Sequence, residues 1–592
     1  MENSLIANSD KIISYIIKTN GKEIDESFGL SSLHVCRILN RIGNATLQFD
    51  TGDNDSFSFP ECDADTFKPG NDIEIEAGYD NEPKRVIFSG MIIGMNVQIQ
   101  GGIRPQLVVE CRDSIFPATQ GRKNQLFEKV KDSDIIVRLG KQYGLSVSVN
   151  PTQIEHESLV QYYCSDWDFI RSRAEANGLV ICIQGKKMIV ERPKVSASPV
   201  LTVTNGVNLV SFNGTLSSSE QYSKVVANTW KIASQTTISE TASAPSVNSQ
   251  GNIPVKYLQD KGGESLYCQT DAPISNNELK TWADAMAMRN AMSRFQGDFS
   301  FIGSAEIEPG SVVLLENVGK RFNGSVYVGG VEHTIEKGQW ITRVHMGLMP
   351  ENVTDLPDII APPGAGLLPG IEGLHVGKVK EISNDPEKEF RVRVNIPLLG
   401  KDIWARLCTL YATNTSGSFF FPEKGDEVVI GYFNNDPRFP VILGSMYSSK
   451  QAAPYQPESS NDLKSIVTRA QLKLEFDEKK KSIKLYTPGK NSIEINDDGK
   501  CIRLCDQHKN EIIMNDSGIT LNSSKDLMMK ARGNIVLDAG MKADIKAKSD
   551  TSIEGLNVKA AAKVSISVSG NAKAELSASG QTVVKGAMVM IN

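Results

Sequence analysis

KNSIEINDDGKCIRLCDQHKNEIIMNDSGITLNSS, Lys490–Ser524, is the stretch whose reading decides the fold of this chain. Apolar residues stand two apart inside short runs, and Asn, Asp, Gly, Ser and Lys fill the gaps. The pattern runs Ile493/Ile495, Ile502/Leu504, Ile519/Leu521, Leu527/Met529, Ile535/Leu537, Val564/Ile566/Val568 and Leu576/Ala578. Period 2 within a repeat of roughly eight to ten residues reads as strands stacked along a rod. From Gly489 to the C-terminus there is no aromatic residue and no proline. That suits a narrow prism one small side chain deep better than a globular core. The two or three inward side chains of one repeat fall short of the backbone entropy lost in ordering it. Neighbouring coils or other copies of the chain must supply the rest, so a β-helical rod intertwined between subunits is expected. A disordered low-complexity tail is the alternative, against which stand the persistent alternation and the absence of a dominant charge sign. An amphipathic helix competes only over Met541–Lys563, where Ala and Lys are dense.

The 592 residues have room for three or more domains, and 40% hydrophobic with 23% charged residues is ordinary for a soluble chain. A net charge of -6 argues against nucleic acid or an acidic membrane as the main partner. MENSLIANSDKIISYIIK, Met1–Lys18, has acidic and polar residues where a signal peptide has a basic start and an apolar run. No apolar stretch approaches the length of a membrane-spanning helix. Nine scattered cysteines read as reduced thiols of a chain made in the cytoplasm, which leaves, if it does, without the general secretory route.

Ahead of the rod, residues 1–120 read as β-rich, with runs at Asp72–Ala77, Arg85–Ile93 and Gln106–Cys111. A helix is expected from about Asp132 to Tyr143, with Ile135, Ile136, Leu139 and Tyr143 on one face and Gly144 as its stop. A second starts at Ser165 as N-cap, with Asp168 completing an S-x-x-D box, and ends at Gly178. Each is followed by an apolar run, Leu145–Val149 and Leu179–Ile181, which suggests a repeated α+β unit. The Ser/Thr/Asn-rich span 213–260 reads as including a long loop, and Asn277–Arg294 as a helix. A Pro/Gly linker, DLPDIIAPPGAGLLPGIEG, marks the clearest boundary. Beyond it, strand candidates at Leu374–Glu381, Phe390–Ile396, Ile403–Leu407, Glu427–Phe433 and Val441–Gly444 fit a five-stranded OB-type barrel. The expected organisation is therefore 1–353, 354–373 as linker, 374–447 as barrel, 448–461 as a second linker, and 462–592 as β-helical spike. The fold class is mainly β, with an α+β N-terminal region.

The barrel carries a resemblance. FFFPEKGDEVVIGYFNNDPRFPVILGSMY, Phe419–Tyr447, with VGKVKEI at Val376–Ile382, Asp385-Pro386, RVRVNIP at Arg391–Pro397 and WARL at Trp404–Leu407, resembles the barrel of VgrG proteins, the spikes of type VI secretion systems. SDIIVRLGKQYGL, Ser133–Leu145, and SDWDFIRSRAEANGL, Ser165–Leu179, resemble the family's hub, related to hub proteins of contractile phage tails; Gly580–Asn592 resembles the end of a family spike. Two departures stand out: the rod is poor in the Val-Gly pairs that name the family, and Ser448–Asn461 is too short for the lysozyme that phage spikes often insert. The resemblance implies a homotrimer that caps an inner-tube (Hcp-like) ring among baseplate components. It implies a C-terminal platform for a conical PAAR-type tip protein, here Met588, Val589, Met590, Ile591 and Asn592, and carriage of effectors, with or without an adaptor, through a membrane pierced mechanically. Localisation would be cytoplasmic at assembly, then outside or in a target cell. A baseplate spike of a phage tail or of an extracellular injection particle shares these mechanics. An effector enzyme or a surface adhesin fibre fits less well.

Chemistry-bearing patterns are sparse. The sequence holds no G-x-S-x-G, G-x-x-x-x-G-K-[ST] or H-E-x-x-H motif, and His156-Glu157 lacks a second His four residues on. No catalytic residue, metal or cofactor is expected. Cys501 and Cys505 fall on one strand face roughly 13 Å apart and read as buried thiols rather than zinc ligands. His333 and His345 read as structural or partly exposed, and Trp404 as core. Phe419-Phe420-Phe421 reads as packing, with a base-stacking platform disfavoured because acidic and basic residues of the module nearly cancel.

Overall fold

The computed structural model describes residues 12–591 except 26, 53–57, 81, 102–103, 244 and 358. The N-terminal residues 1–11 and Asn592, on which the leader and tip readings partly rest, lie outside the described residues. The chain is mainly β with a few helices, and divides into two units, Met1–Met446 and Tyr447–Asn592.

In the first unit a 13-stranded sheet joins the two ends of the hub in sequence. Strand Gly29–Ile38 pairs antiparallel with Gly324–Glu336, three hundred residues away. Its N-terminal part closes over Phe49 and Ile75, turned inward by period-2 alternation, together with Phe88 beside a bulge and Phe67 from the short turn Asp65–Phe67. Its C-terminal part closes over Phe299, Phe301, Val313 and Val326.

Between these halves sits the α+β insert. Helix α1, Asp132–Gln142, buries Ile135, Ile136 and Leu139, and helix α2, Asp166–Ala176, buries Trp167, Ile170 and Ala174. The Ser165 Oγ accepts a hydrogen bond from the Asp168 backbone N–H at 3.0 Å, as the S-x-x-D spacing predicts. Both helices stop where Gly144 (φ +74) and Gly178 (φ +67) take the left-handed backbone that a side chain would strain. The strands after them, Ser146–Val149 and Val180–Gln184, flank Lys187–Glu191 in one small sheet, so the two helix–strand units share a core.

The span 213–260 is paired strand over much of its length, with described residues 245–254 outside any strand or helix. It holds the antiparallel pair Lys224–Lys231 and Thr236–Ser243, extended in parallel by Ser265–Thr270. Thr237, Ser239, Thr241 and Ser243 line the outer face of the second strand, while Val225, Ala227 and Ala242 pack on helix α3, Asn276–Met292. Polar composition here marks a one-sided sheet rather than missing structure.

The barrel is closed. Its strands are β1 His375–Glu381, β2 Val392–Ile396, β3 Lys401–Leu407, β4 Glu427–Tyr432 and β5 Pro440–Ser445, hydrogen-bonded in the order β1-β2-β3-β5-β4 and back to β1. Val379, Val392, Val394, Ala405, Val428, Ile430 and Ile442 fill the interior. The Asp385-Pro386 turn is held by Arg391, whose Nε and Nη2 donate to Asp385 Oδ1 at 3.0 and 2.7 Å. Those hydrogen bonds keep the Asp385 carboxyl well below its ordinary range. Trp404 is not core. Ile403, Ala405 and Leu407 take the inward parity, which leaves Trp404 half-exposed opposite Arg393. Of the three phenylalanines only Phe421 packs on the barrel; Phe419 and Phe420 are exposed.

His333 is fully buried in the hub sheet, its Nδ1 3.0 Å from Thr342 Oγ1 and 3.4 Å from Trp340 Nε1. Burial lowers its pKa to about 3, from an ordinary value near 6.5. Between those values the unfolded chain binds the proton and the folded chain does not. Hub stability is therefore fully present above about pH 6.5 and falls on acidification, by up to about 1.4 kcal/mol per pH unit for one proton. Thermal unfolding from pH 7.5 to 5 should show this loss, and His333→Gln, which still offers an acceptor to Thr342, should reduce the slope.

Candidate functional site

The second unit begins with a seven-stranded antiparallel meander: β6 Leu463–Val467, β7 Lys473–Asp477, β8 Ser482–Tyr486, β9 Ser492–Asn496, β10 Cys501–Cys505, β11 Glu511–Asn515 and β12 Gly518–Asn522. Each strand has five residues, and each pairs only with its neighbours in sequence. Several intervening turns end on a lysine in left-handed backbone, Lys481, Lys490, Lys500 and Lys509. The repeats from Ile493 to Leu521 thus satisfy their hydrogen bonds within one chain. This corrects the expectation that intertwining starts at Lys490.

The register lines up two apolar ladders on one face of this sheet. One runs Phe476, Ile483, Ile495, Ile502, Met514, Ile519; the other runs Ile466, Leu474, Leu485, Ile493, Leu504, Ile512, Leu521. No described residue covers them fully: Leu474 and Ile512 are half-buried, while Leu504 is 36% and Ile519 70% exposed. The opposite face carries a ladder of alternating charge, Glu475, Lys484, Glu494 and Arg503, with Lys484 Nζ 3.2 Å from Glu494 Oε1. Cys501 and Cys505 share that polar face with Arg503 and are half-buried, not buried, because a single sheet leaves both its faces open.

Where the linker meets the first strands, aromatic groups fasten it. Tyr455 and Tyr486 hydroxyls both donate to the Glu475 carboxylate, and Lys473 Nζ stands 5.3 and 5.5 Å from the two ring centres. Burial and the adjoining carboxylate raise the pKa of Tyr486.

From Ser523 to Ile591 the described residues form no strand and no helix, and nearly all are exposed. Met541–Lys563 is accordingly not an amphipathic helix. The period-2 apolar residues persist here, Leu527/Met529, Ile535/Leu537 and Val564/Ile566/Val568, without a partner strand. Met588, Val589, Met590 and Ile591 form an apolar run that is exposed among the described residues.

In the hub, a cavity of about 870 Å³ is lined by Arg171, Glu175, Arg289, Glu332 and His345 among others. Glu332 Oε1 is 2.9 Å from His345 Nε2 and Oε2 is 3.8 Å from His34 Nε2. These partners hold the Glu332 carboxyl well below its ordinary range. Glu175 is satisfied by Arg171, Arg289 and the Val353 N–H. His156 is buried 3.2 Å from Asp132, which also takes two hydrogen bonds from Arg173. Among the described residues no group of three or more His, Cys, Asp or Glu is arranged to hold a metal ion.

Residues 9–337, more than half of the chain, match the family described as the Alg8 N-terminal domain. The chain belongs to that family. Residues 375–447, the closed barrel, match the type VI secretion system/phage-baseplate injector OB domain. Over that barrel the chain is similar to VgrG-type spikes of type VI secretion systems and to phage-baseplate proteins. Over 53 residues, 9% of the chain, it is 34% identical to the type VI secretion system spike protein VgrG1a of Pseudomonas aeruginosa. Over 52 residues it is 36% identical to VgrG3 of Vibrio cholerae. The chain spans only 8% and 5% of the length of these two curated relatives. Among solved structures, the 43 kDa tail protein of prophage MuSo2 from Shewanella oneidensis aligns with a TM-score of 0.43 at 12% identity, covering 56% of this chain and 98% of that one. VgrG in the lidless Francisella PdpA–VgrG complex aligns at 0.37 and 11%, covering 87% and 98%. No helix among the described residues is long and apolar enough to cross a membrane.

The signal for the uncovered ladders was legible in period 2, but which strands pair within the chain was not. If the ladders are covered by other copies, Ile495→Asp should bury a charge and dismantle the assembly. Size-exclusion chromatography should show loss of the oligomer, with unchanged melting of the hub and barrel.

Proposed function

We propose that this protein is the trimeric, membrane-puncturing spike of a contractile injection apparatus of the type VI kind. The observation that carries the reading is residues 523–591, strand-patterned yet unpaired. Extended backbone left without partners is satisfied most economically by strands from identical copies. On this reading three meanders turn their apolar ladders toward a common axis and their charge ladders outward. The following segments then wind around one another. The division into a hub (1–353), a linker (354–373), a barrel (374–447), a second linker (448–461) and a needle (462–592) belongs to the same proposal.

The hub caps the inner tube, an Hcp-like ring, among baseplate components, and the needle transmits the thrust of sheath contraction. Met588–Ile591, with Asn592 beyond, repeated three times, make a blunt apolar platform for a PAAR-type tip protein. Effectors travel on hub or tip, with or without an adaptor, and no bond is made or broken by the spike itself. The barrel match, whose description covers both secretion systems and phage baseplates, equally supports a spike of a phage tail or extracellular injection particle. Neighbouring genes for a membrane-anchoring complex would separate the two.

Light scattering on the full chain should give a mass three times the 64.7 kDa of the monomer. A monomer at micromolar concentration rules the needle out. Removing Met588–Asn592 should preserve the trimer and abolish capture of a PAAR-type protein; unchanged capture would return the tip to a purely structural role.

A further inference from the structure

From Leu407 to Pro422 the chain carries no charged residue. This segment leaves the barrel at the end of β3, folds into a hairpin of Ala412–Thr413 against Ser416–Gly417, and returns at Phe421. Its shape is fixed internally. Thr409 Oγ1 donates to the Ser418 carbonyl at 2.9 Å, the Ser418 N–H donates to the Tyr411 carbonyl at 2.9 Å, and the Tyr411 N–H donates to Ser418 Oγ at 3.2 Å. Such a tongue is a built feature, not a slack loop. Yet Leu410 is 99% exposed and Phe419 80%, with Tyr411 and Phe420 beside them.

The strand register locates it. β3 and β5 run parallel, while β1 and β3 both run antiparallel to β2. The ends of β1, β3 and β5 therefore lie at one end of the barrel. The tongue leaves from the same end of the barrel at which β5 finishes, at Ser445.

We propose that the tongues of three copies meet about the copies' common axis and bury Leu410, Tyr411, Phe419 and Phe420 against one another as an apolar collar. The inference rests on the trimeric reading above and adds a second, separate contact to it. Where identical copies meet at their symmetry axis, each side chain faces its own counterpart and like charge meets like charge, so a surface built for that contact is stable when it carries none. A partner of different sequence has no such restriction and commonly uses complementary charge. The uncharged tongue at the exit end of the barrel therefore points to another copy of this chain.

The test uses the full-length protein, with its mass measured in the same sample. Hydroxyl-radical footprinting should find Leu410, Tyr411, Phe419 and Phe420 protected roughly fivefold or more relative to the urea-unfolded chain, as in the dry centre of an interface. Leu410→Cys, made with Cys408→Ser so that the exposed native thiol does not compete, should then be joined between copies by a short bismaleimide. Peptide mapping that links position 410 of one copy to position 410 of another supports the collar. A trimer whose tongue is labelled as fast as the unfolded chain overturns the collar and leaves the needle standing. Protection without a 410-to-410 link, or linkage only to another segment, also overturns it, since the tongue then docks elsewhere. A monomeric mass overturns the needle reading itself.

Discussion

Backbone hydrogen bonds that one copy cannot make govern this protein. Up to Asn522 every strand finds a neighbour in its own chain, through the hub sheet, the closed barrel or the meander. Past that point the apolar alternation continues, but no partner strand does. A lone extended segment gains little from its small side chains and loses the entropy of ordering. The same segment wound with identical neighbours pairs its N–H and C=O groups and buries its alternating residues together.

Two kinds of incompleteness therefore follow one another in the second unit. In the meander the hydrogen bonds are complete and only the apolar face is open. Beyond it the hydrogen bonds are open as well. The hub avoids both conditions because it carries Phe, Trp, Tyr and Ile in numbers that close a core around one chain, and the barrel, filled by Val, Ile and Ala, closes on itself. The line past which aromatics stop, at Gly489, falls inside the meander, whose apolar face is already open from Ile466.

That line was legible in the sequence, as were the helices around Ile135 and Trp167, capped by glycines and by Ser165, and the five barrel strands. The failures have a common cause. Period 2 reports that a strand has two unlike faces, but not which strand lies beside it. So Ile493–Leu521 read as intertwined when the chain pairs them by itself, and the Ser/Thr-rich ribbon near Thr237 read as loop because its covered face is short. Trp404 was misplaced by one residue of parity: Ala405 takes the inward position, and size alone did not decide it. The barrel tongue went unread for the opposite reason. Its uncharged run was visible in the sequence, but its projection from the chain-exit end follows only from strand register.

The order of these segments suits a structure loaded along its axis. In the meander, neighbouring strands are bonded within each chain, so on the trimeric reading copies would be held mainly by their apolar ladders, a non-directional contact that tolerates small sliding. In the following segment, on the interwoven reading, hydrogen bonds cross between chains. Sliding one chain there would break many bonds at once. Stiffness would then rise toward the tip, where thrust meets resistance, and compliance would remain near the barrel. A collar at the barrel end would hold the three chains in register where the ladders alone leave them freest to shift.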